Sequence, residues 1–265
     1  MSVVQAIILG LVQGLTEFIP VSSSGHLLLL HNVFGVAEDG LGFDVALHIG
    51  TLLALTAFFY GDIVELLVAS VRKGPKTRLA WLLVLATIPA VVAGMLIQDM
   101  AETAFRSPML VSASLTVMAV VMLAAERYTA RRKSLTSVSE VSVKQGLLIG
   151  LAQAVALIPG ISRSGSTIVA GMFSGLDRVT ATRFSFLLAL PITFGAILKV
   201  VLDQDTMLQV RTEPEIFIIG IVTAFASGVV AIGFLLKFVA KHRLNVFAYY
   251  RLALAGTTLL LIALF

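Results

Sequence analysis

Long apolar stretches dominate this chain, and they constrain its fold more than any other feature. An α-helix needs about 20 mostly apolar residues to cross a bilayer. Six stretches approach or reach that length: Phe43–Tyr60, Leu79–Gln98, Pro108–Ala125, Phe184–Leu202, Glu215–Ala240 and Val246–Phe265. With 58% hydrophobic and 13% charged residues, the chain has too little polar surface for a water-soluble globule. The sequence predicts an all-α polytopic membrane protein and excludes a soluble enzyme or a nucleic-acid-binding module.

Two further apolar runs are too short to span a bilayer, and each ends in a proline and a serine-rich cluster. They are Val3–Ile19 and Gln145–Ile158, and a second short run follows each, Leu27–Val36 and Ile168–Leu176. A short run, a polar break and another short run are typical of a re-entrant hairpin. Such backbone is tolerated at membrane depth only where it is buried in protein or lines a wet cavity.

A shift of 140 residues relates the two halves of the chain. The matched segments are Gly10-Leu11-x-Gln13 with Gly150-Leu151-x-Gln153, and Ser22-x-Ser24-Gly25 with Ser162-x-Ser164-Gly165. Pro20 and Pro159 differ by one position from this register. We therefore divide one membrane domain into a first repeat (1–127), a connector (128–144) and a second repeat (145–265). Each repeat has a re-entrant hairpin and three spans, and broken helices in inverted repeats usually meet at a polar site.

Positive charge is concentrated on one predicted side of the membrane. If three spans follow each hairpin, the second repeat is inverted and the basic residues divide fourteen to three. The larger group is Arg72, Lys73, Lys76, Arg78, Arg127, Arg131, Arg132, Lys133, Lys144, Arg178, Arg183, Lys237, Lys241 and Arg243; the smaller is Arg106 and Arg211, with Lys199 at a span end. Because cytoplasmic loops carry an excess of Lys and Arg, both termini of this plasma (inner) membrane protein are expected outside. Arg251, early in the last span, is expected to snorkel to the cytoplasmic interface.

The first polar break carries a carboxylate and a run of serines. Gln13 and Glu17 are four residues apart and share one helix face. A carboxylate in an apolar segment is costly and marks a functional candidate, although an acid at a helix end facing water is the alternative. Ser22–Gly25 precedes an apolar run and predicts a helix N-terminus with amides free to bind an anion. His26 joins this cluster as a candidate. The histidines without such neighbours are assigned a structural role: His31 and His48.

The second break reads Pro159-Gly160-Ile161-Ser162-Arg163-Ser164-Gly165-Ser166-Thr167. A guanidinium among hydroxyls and glycines suits a phosphate or diphosphate better than a neutral ligand. The alternative is a structural salt bridge from Arg163 to Glu17. The two roles are compatible, because an enzyme without substrate could hold its arginine on that carboxylate.

Together the two motifs resemble those of the undecaprenyl-diphosphate phosphatase family, also called the bacitracin-resistance protein family. Gln13-x-x-x-Glu17 with Pro20–His26 is similar to its first motif and Pro159–Thr167 to its second, and the likeness covers essentially the whole chain. The resemblance implies hydrolysis of undecaprenyl diphosphate to the monophosphate, the lipid carrier of peptidoglycan synthesis. It also implies divalent-metal dependence, an active site open to the outer face and a homodimer. Gln13 stands where many members have glutamate, so a two-carboxylate account does not follow.

This resemblance assigns roles to the motif residues. The catalytic candidates are Glu17, Ser23, His26 and Arg163, and the substrate-binding candidates are Gln13, Ser22, Ser24, Gly160, Ser162, Ser164 and Thr167. Ser23 is the preferred nucleophile, activated by His26 or Glu17. Two alternatives remain open, with His26 itself or a water activated by Glu17 as the nucleophile. Glu17 and Gln13 are the expected ligands of Mg²⁺ or Ca²⁺, because hard cations prefer oxygen.

Two other functions fit parts of the pattern. Inverted repeats with broken helices also favour a transporter or lipid flippase, which needs no activated nucleophile. Ser23 and His26 would suit an intramembrane serine protease, but that function gives no reason for Arg163 among hydroxyls. Release of inorganic phosphate by purified protein separates a phosphatase from both.

Overall fold

A computed structural model describes residues 1–34, 40–72, 74–102, 107–130, 134–202 and 204–264. The helices are α1 (Val3–Phe18), α2 (Ser23–Phe34), α3 (Gly40–Phe58), α4 (Tyr60–Val71), α5 (Thr77–Glu102), α6 (Pro108–Thr129), α7 (Val143–Val155), α8 (Arg163–Phe173), α9 (Arg178–Leu202), α10 (Gln204–Thr212), α11 (Pro214–Lys241) and α12 (Asn245–Leu264). In the described ranges, the only other regular elements are a 3-10 turn at Val138–Glu140 and an isolated bridge between Leu135 and Leu176. The predicted all-α fold is confirmed.

Five helices are individually long and apolar enough to cross a membrane: α5, α6, α9, α11 and α12. The remaining predicted span, Phe43–Tyr60, corresponds to α3, which ends at Phe58 and is followed by α4 at an angle of 83°. The described residues therefore contain five spans by length and composition, or six if the bent α3–α4 pair crosses the membrane as one broken span. Neither α4 nor α10 was predicted from the sequence. Asp62 and Glu65 interrupt the apolar pattern of α4, so no continuous apolar run marks this helix.

The two predicted hairpins are built from short helices. α1 has 16 residues and α7 has 13, so at 1.5 Å per residue they reach about 24 and 20 Å. Neither length crosses a hydrocarbon core of about 30 Å. Each starts with the same reciprocal cap, from Ser2 and Gln5 in α1 and from Ser142 and Gln145 in α7. A turn and a second short helix, α2 or α8, follow each of them.

Each hairpin packs on a span from the other half of the chain. α1 lies along α11, and α7 lies along α5, while α3 contacts α9 and α6 contacts α12. A side-chain carbon added at Gly10 or Gly14 would collide with α11, so these glycines permit the close approach of α1. Phe18 packs edge-on against Phe186 of α9, with ring centroids 5.5 Å apart. This contact holds the end of α1 against α9 and thereby positions Glu17, the residue before Phe18.

Several of the basic residues predicted on one side form ion pairs, among them Lys76, Arg178 and Arg183. Arg178 donates two hydrogen bonds of 2.7 Å to the buried Glu126, which also accepts the Leu244 backbone N–H at 2.8 Å. Arg178 therefore anchors the start of α9 to α6 instead of lying free in a solvated loop. Arg106, Lys73 and the run 131–133 lie outside the described residues, as do Val36, Phe265 and the side chain of Lys199.

Candidate active site

Both hairpins turn at a serine with left-handed backbone. Ser22 has φ 75° and Ser162 has φ 76°, and no other described non-glycine residue has a positive φ. Such a conformation costs about 1–3 kcal/mol in a non-glycine residue. In each turn the serine hydroxyl accepts the amide N–H of the following glycine, at 3.3 and 3.1 Å. The strained turns make Ser23 and Arg163 the first residues of α2 and α8, where free amides favour an anion.

Glu17 joins the two hairpins. The residue is 7% exposed, and its Oε2 accepts the Ser23 hydroxyl at 2.6 Å and the Gln13 amide at 3.0 Å. Its Oε1 accepts the Arg163 guanidinium in an ion pair between residues 146 positions apart. His48 Nε2 lies 3.7 Å from Oε2. The structure therefore brings together three of the four predicted catalytic residues and the predicted ligand Gln13.

Arg163 is held by protein groups in this arrangement. Besides Glu17, its guanidinium donates to the Thr193 hydroxyl and, at 3.5 Å, to the Ala189 carbonyl of α9. Its side chain keeps 21% exposure, so it is within reach of a ligand. The salt bridge to Glu17, predicted as the alternative role of Arg163, is present. It leaves a phosphate-binding role open, because a diphosphate can replace the carboxylate as the partner of Arg163.

His26 makes no hydrogen bond to Ser23. Its Nδ1 lies 2.7 Å from the Ser22 carbonyl oxygen, which can only accept, so Nδ1 carries a proton. Its Nε2 lies 2.7 Å from the Tyr250 hydroxyl and accepts that hydrogen when the ring is neutral. Both ring nitrogens are therefore engaged elsewhere, and Glu17 is the group placed to accept the Ser23 proton.

A cavity of about 180 Å³ opens beside Ser23. Its lining residues are Gln13, Ser23, Ser24, Leu27, Leu28, His31, Asp44, Val45, His48 and Pro159. Polar groups thus face apolar side chains across one small volume. This combination suits a charged headgroup carried on a lipid tail.

Three residues on the cavity had no predicted functional role. His31 Nε2 pairs with the Asp44 carboxylate at 2.8 Å, and His48 Nδ1 lies 2.9 Å from the Asp44 carbonyl oxygen. The carbonyl orients the His48 ring so that Nε2 faces Glu17. The four-residue spacing of Asp44 and His48 repeats that of Gln13 and Glu17 and is a signal that could have identified them.

The remaining predicted residues mainly support the turns. Ser24 lines the cavity, but the hydroxyls of Ser162 and Ser164 lie 3.2 Å from each other inside the second turn. The Thr167 hydroxyl donates to the Arg163 carbonyl at 2.7 Å and pairs with a serine of α9. Gly160 has φ 90°, a conformation that favours glycine.

Arg251 does not snorkel to the cytoplasmic interface, and that prediction was wrong. Its side chain is fully buried and points into the bundle. It donates to the carbonyl oxygens of Leu115, Pro20, Gly160 and Ile161. These acceptors replace the water that snorkelling would have reached.

Gln13 and Glu17 could together hold a divalent cation that also binds phosphate oxygens. Gln13 lines the cavity, is fully buried, and its Oε1 has no hydrogen-bond partner. Among the described residues, no three His, Asp or Glu side chains are grouped as a metal site. Mg²⁺ usually binds one or two protein oxygens and completes its shell with phosphate and water. The donor set is compatible with that mode.

Comparison with known proteins agrees with these motifs. The model of the family described as "Bacitracin resistance protein BacA" matches residues 6–257. The chain belongs to this family. The match to the bacitracin resistance protein family includes both hairpins, the cavity and Arg251. The predicted family resemblance is confirmed.

Proteins named undecaprenyl-diphosphatase match this chain over almost their full length. The protein from Moorella thermoacetica is 43% identical over 268 residues, covering 100% of this chain and 98% of that protein. The protein from Desulforudis audaxviator is 44% identical over 263 residues, covering 98% and 97%. The protein from Idiomarina loihiensis is 40% identical over 267 residues, covering 98% and 99%.

Proposed function

We propose that this chain is an integral membrane phosphatase that hydrolyses undecaprenyl diphosphate to undecaprenyl phosphate and inorganic phosphate. The observation that carries this proposal is the 2.6 Å hydrogen bond from Ser23 to Glu17, whose other oxygen is paired with Arg163. Glu17, the proposed base, thus contacts both the proposed nucleophile Ser23 and Arg163, the cation proposed to bind phosphate. The relatives named undecaprenyl-diphosphatase support the substrate class. The product is the lipid carrier of peptidoglycan synthesis.

The first step transfers the terminal phosphoryl group to Ser23. The diphosphate enters the cavity and takes the Arg163 guanidinium from Glu17, since a planar fork binds two phosphate oxygens at once. Glu17, released from its ion pair with Arg163, takes the Ser23 proton as Oγ attacks the terminal phosphorus. The bond from phosphorus to the bridging oxygen breaks, and undecaprenyl phosphate leaves with that oxygen.

The second step releases phosphate from Ser23. Water attacks the phosphorus, the bond to Oγ breaks, and Glu17 returns its proton to Oγ. One proton of the water stays on the released phosphate and the other passes to solvent. Arg163 stabilises the charge that develops on the phosphoryl oxygens in both steps.

A bound Mg²⁺ or Ca²⁺ would neutralise charge on the diphosphate oxygens. Glu17 and Gln13 are the side chains that would hold it. Such an ion would strengthen substrate binding. The proton transfers between Ser23 and Glu17 are carried out by the protein's own side chains.

Phosphate release in detergent tests this function directly. Purified protein incubated with a C55 lipid diphosphate should release one inorganic phosphate for each lipid monophosphate formed. A preparation from the same membranes without the protein controls for contaminating phosphatases. Binding or movement of the lipid without phosphate release would favour the transporter alternative and end the proposal.

Metal dependence should follow the residue at position 13. Gln13→Glu should keep activity and need less Mg²⁺ or Ca²⁺, because a carboxylate binds a hard cation more tightly than an amide. Gln13→Ala should lower the rate of phosphate release roughly 10- to 100-fold, as expected for a supporting group. This decrease should be smaller than that in Glu17→Ala. Phosphate release measured across a metal titration, after removal of metal with a chelator, checks both. Equal and near-complete loss in both alanine variants would make Gln13 a primary catalytic group.

We also propose that the halves are inverted repeats, with both termini and the cavity facing outside. The fourteen-to-three charge bias and the matched hairpin turns support this topology. The chain has no cysteine, so single cysteines at Ser2 and after the last residue should react with an impermeant maleimide on intact cells. A cysteine at the exposed connector residue Ser139 is the matched control and should react only after permeabilisation. Labelling of either terminus only after permeabilisation would refute the topology. The expected homodimer stays a prediction.

A further inference from the structure

Arg251 connects three separate parts of the bundle through its guanidinium. The Nε–H donates to the Leu115 carbonyl of α6 at 3.3 Å, and Nη1 donates to the Pro20 carbonyl of the first hairpin turn at 3.3 Å. Nη2 donates to two carbonyls of the second turn, Gly160 at 2.5 Å and Ile161 at 3.1 Å. The fork of one side chain therefore binds both re-entrant turns at once.

The turns require such a donor. Pro20, Gly160 and Ile161 lie outside the helices, so their carbonyls have no partner in a helical ladder. A carbonyl at membrane depth without a donor costs several kcal/mol, and re-entrant backbone persists only where protein supplies the partner. A charged residue there is also expensive, and no described acidic side chain forms an ion pair with Arg251. Backbone carbonyls are its partners, which suits a role in fixing backbone position.

The bound carbonyls lie immediately before the reactive residues. Pro20 is three residues before Ser23, and Gly160 is three residues before Arg163. Ser22 and Ser162, with their left-handed backbone, lie in the short turns between these carbonyls and Ser23 or Arg163, so each carbonyl and the side chain after it move together. A shift of either turn would therefore move Ser23 or Arg163 relative to Glu17.

We propose that Arg251 is a positioning residue that sets the two hairpin turns in register for phosphoryl transfer. It acts through the Pro20 carbonyl on the nucleophile Ser23 and through the Gly160 and Ile161 carbonyls on Arg163. This inference rests on the proposed phosphatase function. The preceding residue, Tyr250, binds His26, so neighbouring side chains of α12 hold both ends of the first turn.

The test compares Arg251→Lys and Arg251→Gln with wild type on a C55 lipid diphosphate in detergent. Lysine keeps the charge without the fork, whereas glutamine keeps two N–H donors and avoids burying a charge. Misplacement of a reacting group by about 1 Å costs on the order of 10²-fold in rate. We expect kcat per folded enzyme to fall about 10²-fold in both variants. KM should change by less than about threefold, since misalignment acts mainly on the transition state.

Arg178→Lys is the matched control, because Arg178 is a second fork-binding arginine whose partner is the Glu126 carboxylate and not a hairpin turn. It should lower the melting temperature and leave kcat per folded enzyme unchanged. Arg251 variants that behave in the same way, with full kcat in the folded fraction, would overturn the positioning role. That result holds even where little protein folds, since turnover is counted per folded molecule. An inactive wild type would instead contradict the proposed function.

Discussion

Ser23→Ala should reduce phosphate release by at least about 10⁴-fold, because removal of a nucleophilic serine leaves only binding and electrostatic stabilisation. The protein should still fold. Ser23 is on the cavity, and its hydroxyl contributes one hydrogen bond, to Glu17, so the melting temperature should fall by only a few degrees. Initial rates from a C55 diphosphate and melting in the same detergent check both parts.

Ser24→Ala is the control for this prediction. Ser24 is the next residue on the same helix turn, and its hydroxyl lies 3.3 Å from Ser22 Oγ rather than near Glu17. The decrease in phosphate release should be far smaller in Ser24→Ala than in Ser23→Ala. Activity above one tenth of wild type in Ser23→Ala would indicate a water or His26 as the nucleophile. An acid-labile phosphoenzyme would specifically indicate His26, whereas phosphoserine is stable in acid.

Arg163→Lys should lower kcat by about 10²–10³-fold, and Arg163→Ala by at least as much. Removal of one well-placed electrostatic donor typically has an effect of this size. Lysine keeps the charge but not the planar fork that binds two phosphate oxygens. Phosphate release by folded protein, with the folded fraction measured by melting, gives the result.

The ion pair with Glu17 complicates the alanine variant and requires a second measurement. Arg163→Ala leaves a buried carboxylate without its cation, which destabilises a protein by roughly 3–5 kcal/mol. Adding Glu17→Gln removes that charge and should restore the melting temperature without restoring activity. If Arg163 had only a structural role, part of the Arg163→Ala protein would fail to fold, and the folded part would keep near wild-type turnover. That outcome would refute the phosphate-binding role.

The membrane-spanning architecture and the two turns that carry the motifs were predictable from the amino-acid sequence. Both follow from local physics, since a bilayer demands about 20 apolar residues for each span and penalises every polar residue inside it. Half-length runs next to Glu17 and Arg163 were therefore visible without any tertiary contact. The bend between α3 and α4 was not visible in this way, because Asp62 and Glu65 interrupt the apolar pattern of α4.

The contacts between distant polar groups depend on the packing of the helices and were not predictable from the sequence. Glu17 and Arg163 are 146 residues apart, and Arg251 and Pro20 are 231 residues apart, so no spacing rule connects them. The sequence placed Arg251 near a helix end and suggested snorkelling, but its partners are carbonyls of two distant turns. His48 was assigned a structural role because its neighbour Glu17 lies on another helix. These assignments depend on how α1, α3, α8 and α12 pack, since a buried polar group is paired by whatever the fold brings within reach.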